Sequence, residues 1–260
     1  MAKGSPRILL LDIEISPVIA HVWQLFDQNV GLNQIQDDWF IIAWAAKWLD
    51  QKKVHYYDLR GQIKKKSDKK ILKPLWNLID EADIIISQNG RRFDIPKINA
   101  RFAINKMTPP SSYRQIDLLK DINKKSFAFT SNKLDYITNT LNTKFKKQKH
   151  NKFAGHDLWS ECLKDNIKAW REMKKYNIYD VLALEESYKI LRVWDSTINF
   201  SVYDQSLNHT CSCGSSRYKK NGYHYTNTGK MERFRCLDCG KTYATKRNLL
   251  STEKRRTMLK

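Results

Sequence analysis

Five side chains spread along the chain could share one chemistry. Asp12 and Glu14 interrupt the apolar run from Ile8 to Ile15, two residues apart. Side chains alternate across a strand, so both acids project from one face, a few ångströms from each other. Two like charges held side by side need either cations or a strand end that opens to water. Asp94 follows a short apolar run, and Tyr176 and Asp180 lie four apart, on one face of a helix. Taken singly, Asp94 reads as a helix N-cap, Asp180 as a solvated residue and Tyr176 as core. Together, four carboxylates and a phenol could converge on one pocket. Hard divalent ions such as Mg²⁺ or Mn²⁺ prefer oxygen ligands of this kind and accept phosphate as a co-ligand.

A second chemistry sits near the C-terminus. Cys211 and Cys213 form a Cys-x-Cys pair, and Cys236 and Cys239 a Cys-x-x-Cys pair, with 22 residues between the pairs. The intervening segment has a hairpin pattern with a turn at 227–229, and two cysteine pairs joined by a hairpin describe a zinc ribbon. So short a segment could scarcely fold without the ion. The tight first pair leaves room for His209 or His224 to replace one thiolate, and disulfides or free thiols are the remaining alternative. Cys162 stands alone and reads as a buried apolar residue.

The composition limits what these groups can serve. Of 260 residues 41% are hydrophobic, enough for a good core, and Lys plus Arg number 47 against 27 acids, a net charge of +20. Such an excess favours a polyanionic partner. No Lys-rich amphipathic helix and no apolar run of membrane-spanning length accompany it, so nucleic acid is expected and a membrane is not. The first residues lack an apolar leader core, which gives a cytoplasmic expectation.

The elements that must position these residues follow from periodicity. Strands are expected at 8–15, 19–26, 40–48, 54–59, 83–87 and 113–116, the first four making an antiparallel start to the sheet. Helices are expected at 71–81, 95–105, 117–124 (capped by Asp117), 132–141 (capped by Ser131) and 165–193. A basic loop, 144–152, either lines a substrate path or is simply solvated. Strands first, then alternating helix and strand, describe an α/β domain with a mixed sheet. The pattern stops near 200–209, giving one domain over 1–200 and the ribbon over 205–260. The last sixty residues carry 13 Lys/Arg and 4 Asp/Glu. This content suits phosphate contact and base stacking, although the ribbon could instead cap the chain or bind a protein.

Residues 11–14, Leu-Asp-Ile-Glu, resemble the first motif of the DEDD 3′–5′ exonucleases, the DnaQ-like branch of the ribonuclease H-like fold. Residues 89–94 resemble the second, an Asn-x-x-x-Phe-Asp pattern. Tyr176-x-x-x-Asp180 resembles the tyrosine form of the third; the histidine form would need His at 175, where Lys175 stands. The likeness covers about residues 7–195 and makes the chain similar to stand-alone nucleases of the DEDDy subclass. Residues 234–243 resemble the second knuckle of transposase-type zinc ribbons.

The resemblance implies a mixed ribonuclease H-like sheet flanked by helices. It implies a metal-dependent 3′–5′ exonuclease, with Asp12, Glu14, Asp94 and Asp180 holding two Mg²⁺ or Mn²⁺ ions about 3.5–4 Å apart. Tyr176 would position the attacking water or take its proton. Asn89 would hydrogen-bond the terminal nucleotide and Phe93 would pack beside it. DNA is expected over RNA, single strands or 3′ ends being favoured, with nucleoside 5′-monophosphates as products and a replication or repair protein as a further partner. The motifs leave open an exoribonuclease, a structure-specific endonuclease, or a non-catalytic nucleic-acid-binding protein on the same scaffold.

Overall fold

In the computed structural model, which describes residues 6–146, 152–205 and 209–258, the strands of the larger unit follow in chain order. They are β1 (Ile8–Ile15), β2 (Ile19–Ala20), β3 (Ile35–Asp37), β4 (Ile41–Trp48), β5 (Val54–Asp58), β6 (Ile84–Ser87) and β7 (Arg114–Asp117). Five of them form one sheet in the order β5-β4-β1-β6-β7. β1 pairs antiparallel with β4 and parallel with β6, so it is where the sheet changes from antiparallel to parallel. All eight residues of β4 are buried, as a strand covered on both faces requires.

The helices are α1 (Lys69–Asp80), α2 (Asp94–Ile104), α3 (Lys124–Ser126), α4 (Leu134–Thr140), α5 (Asp157–Leu163) and α6 (Ile167–Leu191). A π-helical segment, Leu118–Asn123, leads into α3. Ile71, Leu72, Leu75 and Ile79 of α1 join Ile95, Ile98 and Phe102 of α2 and Trp170 and Met173 of α6 in the core over the sheet. This is the expected α/β mixed sheet flanked by helices.

Several local expectations change. Only Ile19 and Ala20 of the segment 19–26 are extended, and they pair with β3 in a separate two-stranded ribbon, outside the main sheet. Among the described residues no element covers the apolar side chains beyond: Trp23 is 96% and Phe26 79% exposed. Helix α5 was not expected, and α4 starts at Leu134, with Ser131 reaching only the Lys133 amide, at 3.3 Å. Of the basic loop 144–152, residues 147–151 lie outside the described residues. Cys162 is fully buried, and burial with the charges of Asp58 and Glu14 pushes its thiol up to about 12, as an inert core residue requires.

One buried ion pair fixes α6 against the sheet. The Lys47 ammonium on β4 meets Glu185 at 2.6 Å, and both side chains are buried. Glu185 also accepts from the Asp50 amide at 3.1 Å and meets Lys189 at 3.0 Å. Burial works against its charge, but these donors hold its carboxyl below the ordinary range. Removing one partner strands a buried charge, so Lys47→Ala is expected to cost about 3–5 kcal/mol in urea denaturation. Replacing both partners by apolar residues of similar size, Lys47→Met with Glu185→Leu, should recover most of that loss.

The second unit begins at Ile190. Its sheet is β10-β9-β8, from β8 (Tyr218–Thr226), β9 (Gly229–Cys236) and β10 (Thr242–Ala244), and α7 (Thr252–Arg256) follows. The expected hairpin is present, with Thr226 opposite Gly229 across the turn. Among the described residues, no helix is long and apolar enough to cross a membrane.

Candidate active site and metal centre

β6 is shorter than β1, and their pairing ends at Leu10 opposite Ile86. The next amide of β1 on that edge therefore has no strand to bond. Asp94 fills the place: its Oδ1 accepts from the Ile13 N–H at 3.2 Å, from the first residue of α2. Asp94 is thus not the N-cap expected from sequence. Phe93 occupies that position, with no side-chain cap. Burial, with the charge of Asp117 added, raises the Asp94 carboxyl to about 7 against the pull of the Ile13 amide. A neighbouring cation would reverse that shift.

The loop that delivers Asp94 depends on two backbone features. Asn89 adopts φ +63°, in the left-handed region that Asn tolerates. Gly90 packs so closely that an added Cβ would sit 1.9 Å from Ser87 Oγ and 3.3 Å from Asp94 Oδ2. Asp117, fully buried, accepts from the amides of Asn89 at 2.9 Å and Arg91 at 3.2 Å, as well as from Leu119 at 3.1 Å and Lys120 at 3.2 Å. It caps the following helical segment as expected and also holds the Asp94 loop, a role that sequence reasoning missed. Gly90→Ala is expected to displace that loop, costing about 1–3 kcal/mol of overpacking. If Asp94 serves a reaction, a displacement of about 1 Å is expected to cost about 10²-fold in its rate, read in an initial-rate assay.

Helix α6 supplies the other side. Asn177 Nδ2 donates to Asp12 Oδ2 at 2.5 Å, and Asp180, three residues on, is buried. Asp12 and Asp180, 168 residues apart in the chain, line one open cleft of about 550 Å³. Lys124, Lys133, Asn132 and Gln88 line it too. None of these four, nor Asn177, was expected; Asn177 could have been found, because it lies three residues from Asp180 on the same helix face.

The remaining expected residues do not line this cleft. Glu14 is half-buried on the same strand face as Asp12, just before a β-bulge, and its charge reaches the Tyr56 phenol and the Cys162 thiol. Tyr176 is buried in the core, its ring edge-on to Trp159 with centroids 6.1 Å apart. Phe93 is exposed, with the Lys97 ammonium 5.5 Å from its ring. Among the described residues, no three of the four carboxylates bring ligand oxygens within 4.8 Å of one another.

The cysteines do. The sulfurs of Cys211, Cys213, Cys236 and Cys239 all lie within 4.8 Å of one another. Cys211–Cys239 is 3.6 Å and Cys213–Cys236 3.7 Å. Zinc–thiolate bonds of about 2.3 Å give a tetrahedron with edges of about 3.8 Å, whereas a disulfide needs about 2.05 Å. The cluster therefore suits a structural zinc held by four thiolates. His209 instead packs against Phe234 and Tyr218, with ring centroids 5.6 and 6.1 Å away.

The short Cys-x-Cys loop works because each knuckle turns on a glycine just after its second cysteine. Gly214 (φ +88°) donates to Cys211 O at 2.8 Å, and Gly240 (φ +72°) to Cys236 O at 3.2 Å. Burial disfavours the Cys236 thiolate, yet the amides of Cys239 and Asp238 bring that thiol down to about 7.

Residues 26–192 match the family described as the RNase_H superfamily, and the chain belongs to it. Its fold is similar to that of the family B DNA polymerase from the hyperthermophilic archaeon Pyrobaculum calidifontis. The TM-score is 0.52 at 15% sequence identity, over 77% of this chain. The match spans 26% of the polymerase. No curated protein sequence matches the chain. The fold is nuclease-like and consistent with hydrolysis of nucleic acid, and it carries a C-terminal four-cysteine cluster suited to zinc.

Proposed function

We propose that the chain is a metal-dependent 3′–5′ exonuclease of the DEDDy type. It removes nucleoside 5′-monophosphates from DNA, favouring single strands or 3′ ends, with residues 1–200 as the nuclease domain and 205–260 as the ribbon. The observation that carries this reading is that Asp12 and Asp180 line one cleft, with Asp94 hydrogen-bonded to the strand that bears Asp12. Asp12, Glu14, Asp94 and Asp180 are the ligands for Mg²⁺ or Mn²⁺. The Asp94 carboxylate, pushed up to about 7 by burial, fits such a cation, which relieves the cost of its charge. When bound, the ions neutralise phosphate charge and lower the pKa of an attacking water.

The chain's own groups do the rest in this reading. Asn177 orients the Asp12 carboxylate through its 2.5 Å hydrogen bond. Lys124 and Lys133 offer cations to the phosphates entering the cleft. Tyr176, braced by Trp159, positions the water or takes its proton. Asn89 hydrogen-bonds the terminal nucleotide, and the exposed Phe93 ring packs beside its base. DNA is the preferred substrate in this reading, and RNA is the alternative that the assay below decides.

Digestion of 3′- and 5′-labelled single-stranded DNA, duplex DNA and RNA, with and without Mg²⁺, tests this. Mononucleotides released from DNA 3′ ends are expected. Internal fragments would replace the exonuclease with an endonuclease, and digestion of RNA alone with an exoribonuclease. Binding without cleavage would leave a nucleic-acid-binding protein.

A further inference from the structure

The ribbon hairpin has two chemically different faces, and a bulge creates them. Lys220 pairs with Phe234 and Tyr223 with Glu232, so two residues of β8 stand opposite one of β9, an insertion of one residue. Gly222 (φ +75°) absorbs the irregularity. Beyond it Tyr223 and Tyr225 return to the face that carries Lys220, Glu232 and Lys230. Without the bulge, alternation would send both rings to the opposite face.

These rings are available. Tyr225 is 65% and Tyr223 36% exposed, with centroids 6.3 Å apart and planes inclined by 59°. The Lys230 ammonium lies 4.1 Å from the Tyr223 centroid and 5.8 Å from that of Tyr225. Lys220 lies 5.4 Å from Tyr223. On this face Lys220 is paired to Glu232 at 2.7 Å, and Lys230 adds a further positive charge beside the rings, which favours an anion.

The platform is also held rigidly. The Lys230 amide donates to Asn248 Oδ1 at 3.1 Å, and its carbonyl accepts from the Leu249 amide at 2.7 Å. Asn248 Nδ2 donates to Thr228 O at 3.2 Å, which fastens the turn itself. Two exposed rings with cations above them, on a clamped backbone, lose little freedom when a flat ligand stacks on them.

We infer that Tyr223, Tyr225 and Lys230 form a site for unpaired bases: the rings stack on adjacent bases of a single strand while Lys230 meets the phosphate between them. Bases already stacked in a duplex expose no face to these rings, so the site distinguishes single strands from duplexes. This rests on the ribbon's being a nucleic-acid binder and not on the nuclease reading. It adds the form of the ligand and the residues that select it.

The test uses the full chain, zinc-loaded, carrying Asp180→Asn so that no substrate is consumed. Fluorescence anisotropy measures binding to oligo-dT, oligo-rU and a DNA duplex of equal length. Tyr223→Ala with Tyr225→Ala is expected to weaken oligo-dT binding by about 10- to 100-fold, leaving the duplex within about twofold and the salt slope unchanged. Tyr→Phe at both positions should retain binding. Lys230→Ala should weaken binding and lower the salt slope by about one. A matching loss on oligo-rU would extend the ligand to single strands of either sugar, and an unchanged rU affinity would restrict it to DNA. Unchanged oligo-dT affinity, or equal losses on single strand and duplex, in variants that keep their zinc would overturn the inference. If the parent chain binds none of the three, the ribbon's nucleic-acid role falls with it, and the digestion assay stands apart.

Discussion

Asp12→Asn, Asp94→Asn and Asp180→Asn should each reduce cleavage by about 10³-fold or more, the scale lost with one preorganised electrostatic group. The substitutions keep the shape of the side chain. Asn at 94 still accepts from the Ile13 amide, and Asn at 12 still accepts from Asn177. What disappears is the charge. Because Asp94 and Asp180 are buried, removing their charge also removes a desolvation cost, so the metal-free variants should melt no lower than the parent. Mg²⁺ should raise the melting temperature of the parent, as any ligand of the native state does, and leave the variants unmoved. The combination separates a lost ligand from a damaged fold. Purified variants that degraded DNA and RNA at the parental rate would dismiss these residues as the catalytic set.

The second large effect belongs to the ribbon. A structural zinc contributes on the order of 10–16 kcal/mol of binding energy in peptide systems, and that binding energy is folding energy. The three-stranded sheet is small, and its aromatic contacts (Tyr218, Phe234 and Tyr243) gather beside the four sulfurs. Cys236→Ser should therefore lose the single zinc and open residues 211–244 to protease, since Cys236 is the buried thiolate that the Asp238 and Cys239 amides stabilise. Cleavage of a short oligonucleotide should persist, because the carboxylates lie in the other unit. The parent should hold about one zinc per chain by metal analysis. A Cys236→Ser chain as protease-resistant as the parent would mean that the ribbon folds without its ion.

What could be read from the sequence, and what could not, divides along physical lines. β1, β4 and β6 were legible because buried strands leave long apolar runs. Asp12 and Asp94 stood out because acids beside such runs are costly. The segment 19–26 misled because its apolar residues imitate a strand, whereas among the described residues no element covers Trp23 and Phe26. Helix α5 is seven residues long, too short for periodicity to declare itself. Asp117 holds the Asp94 loop through amides distant in sequence, which no spacing announces, whereas Asn177 was within reach as a residue one turn before Asp180. The choice between four thiolates and a histidine needed coordinates, although the glycine after both Cys213 and Cys239 was a visible sign of two matching knuckles.

The uncovered segment after β1 has a consequence for how the protein behaves in bulk. Residues 8–46 contain no Lys or Arg, in a chain that carries 47 of them. The same stretch holds five acids (Asp12, Glu14, Asp27, Asp37 and Asp38), so a molecule of net charge +20 carries an acidic stretch that exposes Trp23, Leu25 and Phe26. Salt loosens a basic protein's grip on nucleic acid and, in the same step, shortens the reach of its self-repulsion. Repulsion between the basic surfaces of two molecules then no longer keeps these side chains apart. Self-association through these side chains is therefore expected to grow with ionic strength, which light scattering across a salt series would read.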